Sequence, residues 1–230
     1  KTIEEHLNKE LILNNKGIKV LSLFFLDKVA NYRQYNKKGF RVKGPYAELF
    51  EKHYHQLIQK PKYRPILEKW GDGQNVGRFH DGYFSIDKVV KREDHDEYIF
   101  KETKTGRAKS DEEAYNLIMR DKEKLLAFDS DLRFIFSHSA LREGWDNPNV
   151  FQICTLNESK SEIKRRQEIG RGLRLCVNQD GERLHGFDIN TLTVMANESY
   201  EEFAEGLQKE IETETGVKFG IIEKHTFANL

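Results

Sequence analysis

Two short stretches of the chain carry residue types that could act on a phosphate. One is Gln167-Glu168-Ile169-Gly170-Arg171-Gly172-Leu173-Arg174, and the other is Arg142-Glu143-Gly144-Trp145-Asp146-Asn147-Pro148. Arg171 and Arg174 are three apart, so in a helical turn both guanidinium groups leave from one side. Two planar forks aimed together suit a phosphate chain, which they grip through paired N–H donors. The same residue types have plainer uses. A Gly-Arg-x-x-Arg run suits a solvated helix end, where cations favour the last turn, and a Gly-x-Asp-x-Pro loop suits an ordinary turn.

The elements that must position these stretches are set by the pattern around them. An apolar run at 134–136, a polar loop holding Gly144, Trp145 and Asp146, and a second apolar run at 150–156 suit neighbouring strands of a buried α/β sheet. Ligand-facing groups in such sheets come from loops at the strand ends. Ser159 with Glu162 forms a capping box that opens a basic helix leading into the arginine run. Upstream, residues 2–14 read as a helix stopped by Asn14-Asn15-Lys16-Gly17, and IKVLSLFF at 18–25 reads as a strand buried on both faces. A helix is expected at about 27–35. Ser110 with Glu113 caps a helix whose buried stripe is Ala114, Leu117, Ile118, Leu125 and Phe128. TLTVMA at 191–196 is a last strand, and Ser199 with Glu202 caps a helix to about residue 214. Alternating helix and strand makes a parallel α/β sheet the expected core.

Residues 142–148 resemble motif V of superfamily-two helicases, and residues 167–174 resemble their motif VI. The wording ALREGWDNPN followed by QEIGRGLRL is similar to the Res (restriction and translocation) subunit of type III restriction enzymes. Both motifs in this order, each after a strand or helix signal, satisfy the context test for a motif. Residues 18–33 resemble motif IV more loosely. The resemblance implies a RecA-like parallel sheet with helices on both faces, the second of two RecA-like domains in an ATP-driven motor on double-stranded DNA. It implies ATP and Mg²⁺ bound mainly by the first RecA-like domain of the same protein, and a DNA methyltransferase (Mod) subunit as partner. Nothing in this chain fits G-x-x-x-x-G-K-[ST], so the chain is expected to be a C-terminal half-motor, inactive alone.

Carried over by position, Arg171 and Arg174 match the motif VI arginines that reach the γ-phosphate and stabilise charge as it is transferred. Gln167 and Gly170 match motif VI positions at the nucleotide, and Gly144 and Asp146 match the motif V pair, the glycine allowing close backbone approach and the aspartate bonding to ribose or to motif VI. The chain departs from many relatives at the motif V threonine that touches the nucleic-acid backbone: His138 stands there, flanked by Ser137 and Ser139. These three, with Lys164 and Arg165 of the basic helix, are the expected nucleic-acid-binding residues; His138 as a packed residue is the plainer alternative.

Composition bounds the rest. The 230 residues are 37% hydrophobic and 33% charged, enough for one large or two small domains with a substantial core. Thirty-eight basic residues balance 38 acidic ones, so any nucleic-acid surface must be local. One is found at 160–174, where six Lys or Arg face Glu162 and Glu168. No run approaches the eighteen or so apolar residues of a membrane span, and KTIEEHLNKE is not a signal peptide. The missing initiator Met fits a piece of a longer chain. Cys154 and Cys176 read as buried thiols, and the compartment as reducing and cytoplasmic.

Between 35 and 109 the composition shifts. Three of the four prolines (Pro45, Pro61, Pro65) fall here, a helix is expected from Pro45, and strands at 79–87 and 97–102 are joined by a charged connection at 88–96. The expected organisation is therefore a discontinuous RecA-like domain, 1–34 and 110–230, interrupted by an inserted α+β subdomain at 35–109. Two other functions compete for that insertion. Asp81 or Asp87, with Glu102 and Lys104, imitates the D…(E/D)-x-K pattern of metal-dependent nucleases, and a module that only binds DNA or a partner is the third possibility. His53 and His55 are two apart and diverge on a helix, so no metal site is expected.

Overall fold

The run Leu21–Leu26 (LSLFFL) forms the central strand β1, and all six residues are buried. Such a continuous apolar run is what a strand covered on both faces requires. The computed structural model describes residues 1–37, 41–71, 75–84, 90–92, 95–97, 118, 121–138, 147–156, 162–195 and 198–216. Among these, β1 pairs in parallel with β7 (Phe134–Ser137) on one side and β8 (Val150–Leu156) on the other. Beyond β7 lies β4 (His80–Tyr83) and beyond β8 lies β9 (Thr193–Met195), both parallel, giving the order β4-β7-β1-β8-β9. This is the RecA-like α/β sheet expected from the sequence.

Alternation along the strands sends successive side chains to opposite layers. Phe24, Leu26, Phe134 and Phe136 join the core beneath α1 (Thr2–Leu13), α2 (Pro45–Ile58) and α3 (Arg64–Trp70), through Leu7, Phe50, Tyr54, Ile58, Ile66 and Trp70. Leu21, Leu23, Phe25, Ile135 and Ile153 face the other way, against Ile118 and Leu125 of α4 (Lys122–Leu126). Helices therefore cover both faces. Gly17, at φ 69, takes the left-handed conformation that ends the first helical segment and turns the chain into the sheet. A second unit, Ala196–Leu230, holds the last helix described, α6 (Glu198–Thr215).

A chain of polar groups fastens α1 to the sheet. His6 Nδ1 lies 2.8 Å from Ser22 Oγ, and the Ser22 hydroxyl donates to Gln152 Oε1 at 2.8 Å. One turn on, Glu10 accepts from Arg133 Nη1 at 2.7 Å, and Arg133 Nη2 donates to the Tyr54 hydroxyl at 2.5 Å. Glu10 and Arg133 are fully buried. Burial pushes the Glu10 carboxyl up, but Arg133 and then His6 outweigh it and hold it at about 2. The Arg133 guanidinium also lies 4.2 Å from the Phe79 ring centre and 4.7 Å from that of Trp70.

The described part of 35–109 does not stand apart from this core. α2 and α3 share its apolar cluster, and β4 is an edge strand of the main sheet. The Tyr32 hydroxyl meets His80 Nδ1 at 2.8 Å and His80 Nε2 meets Glu51 Oε1 at 3.0 Å, which ties α2 to β4. The described part of 35–109 falls with the rest of 1–195 in one compact unit, and the strand expected at 79–87 is seen as β4, His80–Tyr83.

Two element expectations also change. In place of a helix at 27–35 there is a 3₁₀ turn, Val29–Asn31, followed by β2 (Arg33–Tyr35), which pairs with β3 (Arg41–Lys43). Asp27 Oδ1 takes hydrogen bonds from the Lys28 N–H and from Asn31 Nδ2, and so competes with helical pairing there. The expected connection at 88–96 instead contains strand residues, β5 (Val90–Arg92) against β6 (His95–Glu97). Most of the helix expected at 110–128, and the strand at 97–102 beyond Glu97, lie outside the described residues.

Candidate functional site

The arginine run begins where helix α5 (Glu162–Gly170) ends. Glu168 and Ile169 are buried and Gln167 is exposed, so the helix lays one edge on the domain. It closes on two tight bonds, Arg171 N–H to Glu168 O at 3.3 Å and Gly172 N–H to Ile169 O at 2.9 Å. The helix therefore stops before the arginines, and the two do not share one helical side. Arg171 is buried at 6% exposure, whereas Arg174 is exposed. Burial lowers the Arg171 guanidinium from its usual value, and the Glu168 carboxylate opposes that shift. Arg174 Nη1 instead donates to Leu173 O at 2.9 Å and Gly170 O at 3.3 Å, lying back on the helix end.

The glycines of this turn differ. A methyl group on Gly170 would meet nothing within 4 Å, so that face is open, while one on Gly172 would fall 2.4 Å from Leu192 Cδ1. Gly172 is the glycine that packing requires. Close backbone approach by a ligand is compatible with Gly170.

After Arg174 the chain is held by side-chain amides. Asn149 Oδ1 accepts the Val177 N–H at 2.8 Å and Asn149 Nδ2 donates to Val177 O at 2.9 Å, while Cys176 N–H donates to Asn190 Oδ1 at 2.9 Å. Asn149 is fully buried and its carbonyl accepts the Leu21 N–H at 2.9 Å. Residues 147–149, the start of β1 and the segment after Arg174 therefore meet at the edge where β1 and β8 begin. That is the amino edge of the sheet. No sequence pattern announced Asn149 or Asn190, because a lone asparagine in a turn-rich stretch is ordinary.

The other expected residues divide between edges. Ser137 ends β7 at the carboxyl edge, about 20 Å away along the strands, and is buried, so its hydroxyl is not presented to solvent. His138 follows it and is half-buried. The backbone of Lys164 and Arg165 lies in α5, their side chains outside the described residues. Gly144, Trp145, Asp146 and Ser139 lie outside the described residues as well, as do Asp87, Glu102 and Lys104. Asp81 is engaged by Arg41 at 2.9 Å and by the Gly82 N–H at 2.7 Å. No group of three or more His, Cys, Asp or Glu suited to a metal occurs among the described residues. Cys154 and Cys176 are free and buried, and burial pushes both thiols up.

No family model matches the chain. It is 41% identical over 184 residues to the Res subunit of the type III restriction-modification enzyme EcoP15I of Escherichia coli, an alignment covering 78% of the chain and 17% of that protein. The EcoPI Res subunit of Escherichia phage P1 matches at the same identity and coverage. The StyLTI Res subunit of Salmonella typhimurium is 38% identical over 192 residues, covering 75% of the chain and again 17% of the relative. The chain spans about a sixth of the length of these curated relatives. With identity at this level over most of its length, the chain belongs, as the counterpart of one segment, to the Res subunits of type III restriction-modification enzymes.

Proposed function

We propose that this chain is the second RecA-like lobe of an ATP-driven translocase on double-stranded DNA, within a type III restriction Res subunit. The observation that carries the reading is that Asn149, the residue after the motif V stretch, pairs with Val177, three residues past Arg174, at one edge of the sheet. ATP lies between this lobe and the first RecA-like domain of the same protein. Arg171 and Arg174 act on its phosphates, drawing off negative charge as the γ-phosphoryl transfers. Gln167 and Gly170 border the nucleotide, with Gly170 open to close approach, and Gly144 and Asp146 complete the motif V side. Mg²⁺ takes its protein ligands mainly from the other lobe.

The two arginines play different parts. Arg171 is fixed by burial, while Arg174 rests on two carbonyls at an exposed helix end, bonds worth about 1 kcal/mol each. Arg174, at the exposed helix end, reaches the phosphates when the lobes close. His138, Ser139, Lys164 and Arg165 are the residues that would contact the DNA backbone, and a DNA methyltransferase (Mod) subunit is the partner in the assembled cytoplasmic enzyme. The whole polypeptide is required, because one wall of an interdomain site does not orient the nucleotide.

Arg174→Ala in the full-length protein tests this cleanly, since an exposed side chain is removed without disturbing the core. An arginine finger is worth about 10³ to 10⁵ in rate, against roughly 0.3 to 1 kcal/mol of stability for a helix-end cation. DNA-stimulated ATP hydrolysis should fall by orders of magnitude while melting temperature and DNA binding hold, and Arg174→Lys should recover only part of the rate. Near-normal hydrolysis by Arg174→Ala would remove the motor assignment.

A further inference from the structure

Two consecutive peptide units, at Cys176 and Val177, are held by side chains in addition to the hairpin in which Val177 bridges Arg183 and the Leu184 N–H donates to Cys176 O. Asn149 both donates to and accepts from the Val177 main chain, at 2.9 and 2.8 Å. Its own N–H donates to Asn147 Oδ1 at 3.0 Å, and Asn190 holds the Cys176 N–H from the other side. A single hydrogen bond fixes a distance, but a paired donor and acceptor also fix the rotation of the peptide plane. The contact thus joins a point just past Arg174 to a point just past the Gly144–Asp146 loop.

We infer that Asn149 is a positioning residue for the arginine-bearing turn: through Val177 it ties the segment that follows Arg174 to the start of β8, and so fixes where that turn meets the nucleotide. The inference rests on the ATPase reading above. Asn149 touches neither ATP nor the arginines; it acts through the backbone of Val177. A displacement of about 1 Å at a reacting group costs up to about 10²-fold in rate. A purely structural amide would instead be seen in stability, with kcat and KM of the folded enzyme unchanged.

The test uses the full-length protein with duplex DNA and steady-state ATP hydrolysis. Asn149→Ala removes both bonds, and kcat should fall roughly 30- to 100-fold with KM for ATP within about threefold and DNA binding intact. Should that variant fail to fold, Asn149→Asp keeps the shape. Its carboxylate accepts but cannot donate, whereas the protonated acid does both, as the amide does. The kcat of Asn149→Asp relative to wild type should therefore climb as pH is lowered from about 8 to about 5.5, the range that a buried carboxyl with a raised pKa spans. An active wild type whose Asn149→Asp variant turns over within twofold of it, or at a pH-independent fraction of it, overturns this inference alone. A wild type without DNA-stimulated hydrolysis overturns the ATPase reading, and this inference with it.

Discussion

Removing one end of the Glu10–Arg133 pair should cost far more of this domain's stability than removing both ends. The carboxylate and guanidinium are 2.7 Å apart with no exposed surface on either side chain. Glu10→Leu leaves Arg133 buried with Lys19 nearby, a second cation whose amine donates to Ala127 O and Ser130 O. Arg133→Met leaves a buried carboxylate and takes the partner from the Tyr54 hydroxyl. Each single change should cost about 3 to 5 kcal/mol, because a buried charge loses its counter-charge. At about 2 to 4 °C per kcal/mol for a chain of this size, that lowers Tm by roughly 6 to 20 °C. Independent effects would sum to about 6 to 10 kcal/mol in the double variant. Glu10→Leu with Arg133→Met should instead cost less than either single change, since apolar groups of similar volume replace a buried ion pair at little loss. Urea denaturation of the four proteins, followed by circular dichroism, gives the cycle. Additivity within about 0.5 kcal/mol would show that the two groups do not depend on each other and would refute the reasoning.

Acid should destabilise the domain in two steps. Burial lowers the His6 pKa, with Glu10 opposing, so the unfolded chain gains a proton that the fold refuses as pH drops through 6.5. Glu10, held at about 2 against an ordinary 4.5, then costs about 3 kcal/mol as pH falls between those values. Lys19, lowered to about 7 chiefly by burial, adds stability as pH rises from about 7 towards 10.5. Urea midpoints measured from pH 3 to 9 should therefore rise throughout, and a flat profile between 7 and 3 would contradict the burial of both groups. The glycines of the turn give a separate contrast. Gly172→Ala should cost about 1 to 3 kcal/mol through overpacking against Leu192, while Gly170→Ala leaves stability unchanged or higher by up to about 1 kcal/mol. If a nucleotide approaches Gly170, ATPase in the full-length protein falls for Gly170→Ala despite that stability; unchanged turnover would take Gly170 out of the site.

Periodicity reached the parts of the fold that hydrophobic burial decides. The strands at 21–26, 134–137 and 150–156 announce themselves as apolar runs because they are covered on both faces. Pro45 and Gly17 mark helix boundaries because one lacks an N–H and the other tolerates positive φ. The edge strand His80–Tyr83 lies within the run expected as a strand at 79–87; its neighbour was not legible, because it joins the sheet through backbone pairing with 134–137, which leaves no pattern in the side chains. The polar fastening of α1 was equally silent: His6 and Glu10, four apart on a helix, look like a solvated face until Arg133, more than 120 residues later, is brought against them.

The same distinction explains how much of the candidate site was legible. Arginine and glycine types in QEIGRGLRL point to phosphate because their donor geometry and small size are intrinsic to the residues. Their presentation is not intrinsic. Three-residue spacing places two side chains together only while the helix lasts, and α5 ends at Gly170, one residue too early. The segment beyond Arg174 forms a short hairpin in which Val177 bridges Arg183, and Asn149 and Asn190, which reach it from 28 and 14 positions away along the chain, tie that hairpin to the domain. A buried amide can serve as a second neighbour to a peptide because it carries one donor group and one acceptor, the same pair. The consequence is a division of labour. Burial fixes Arg171 beside Glu168, the amides help to fix the backbone beyond Arg174, and the Arg174 side chain lies exposed on the Gly170 and Leu173 carbonyls, so the two arginines of one motif are presented in different ways.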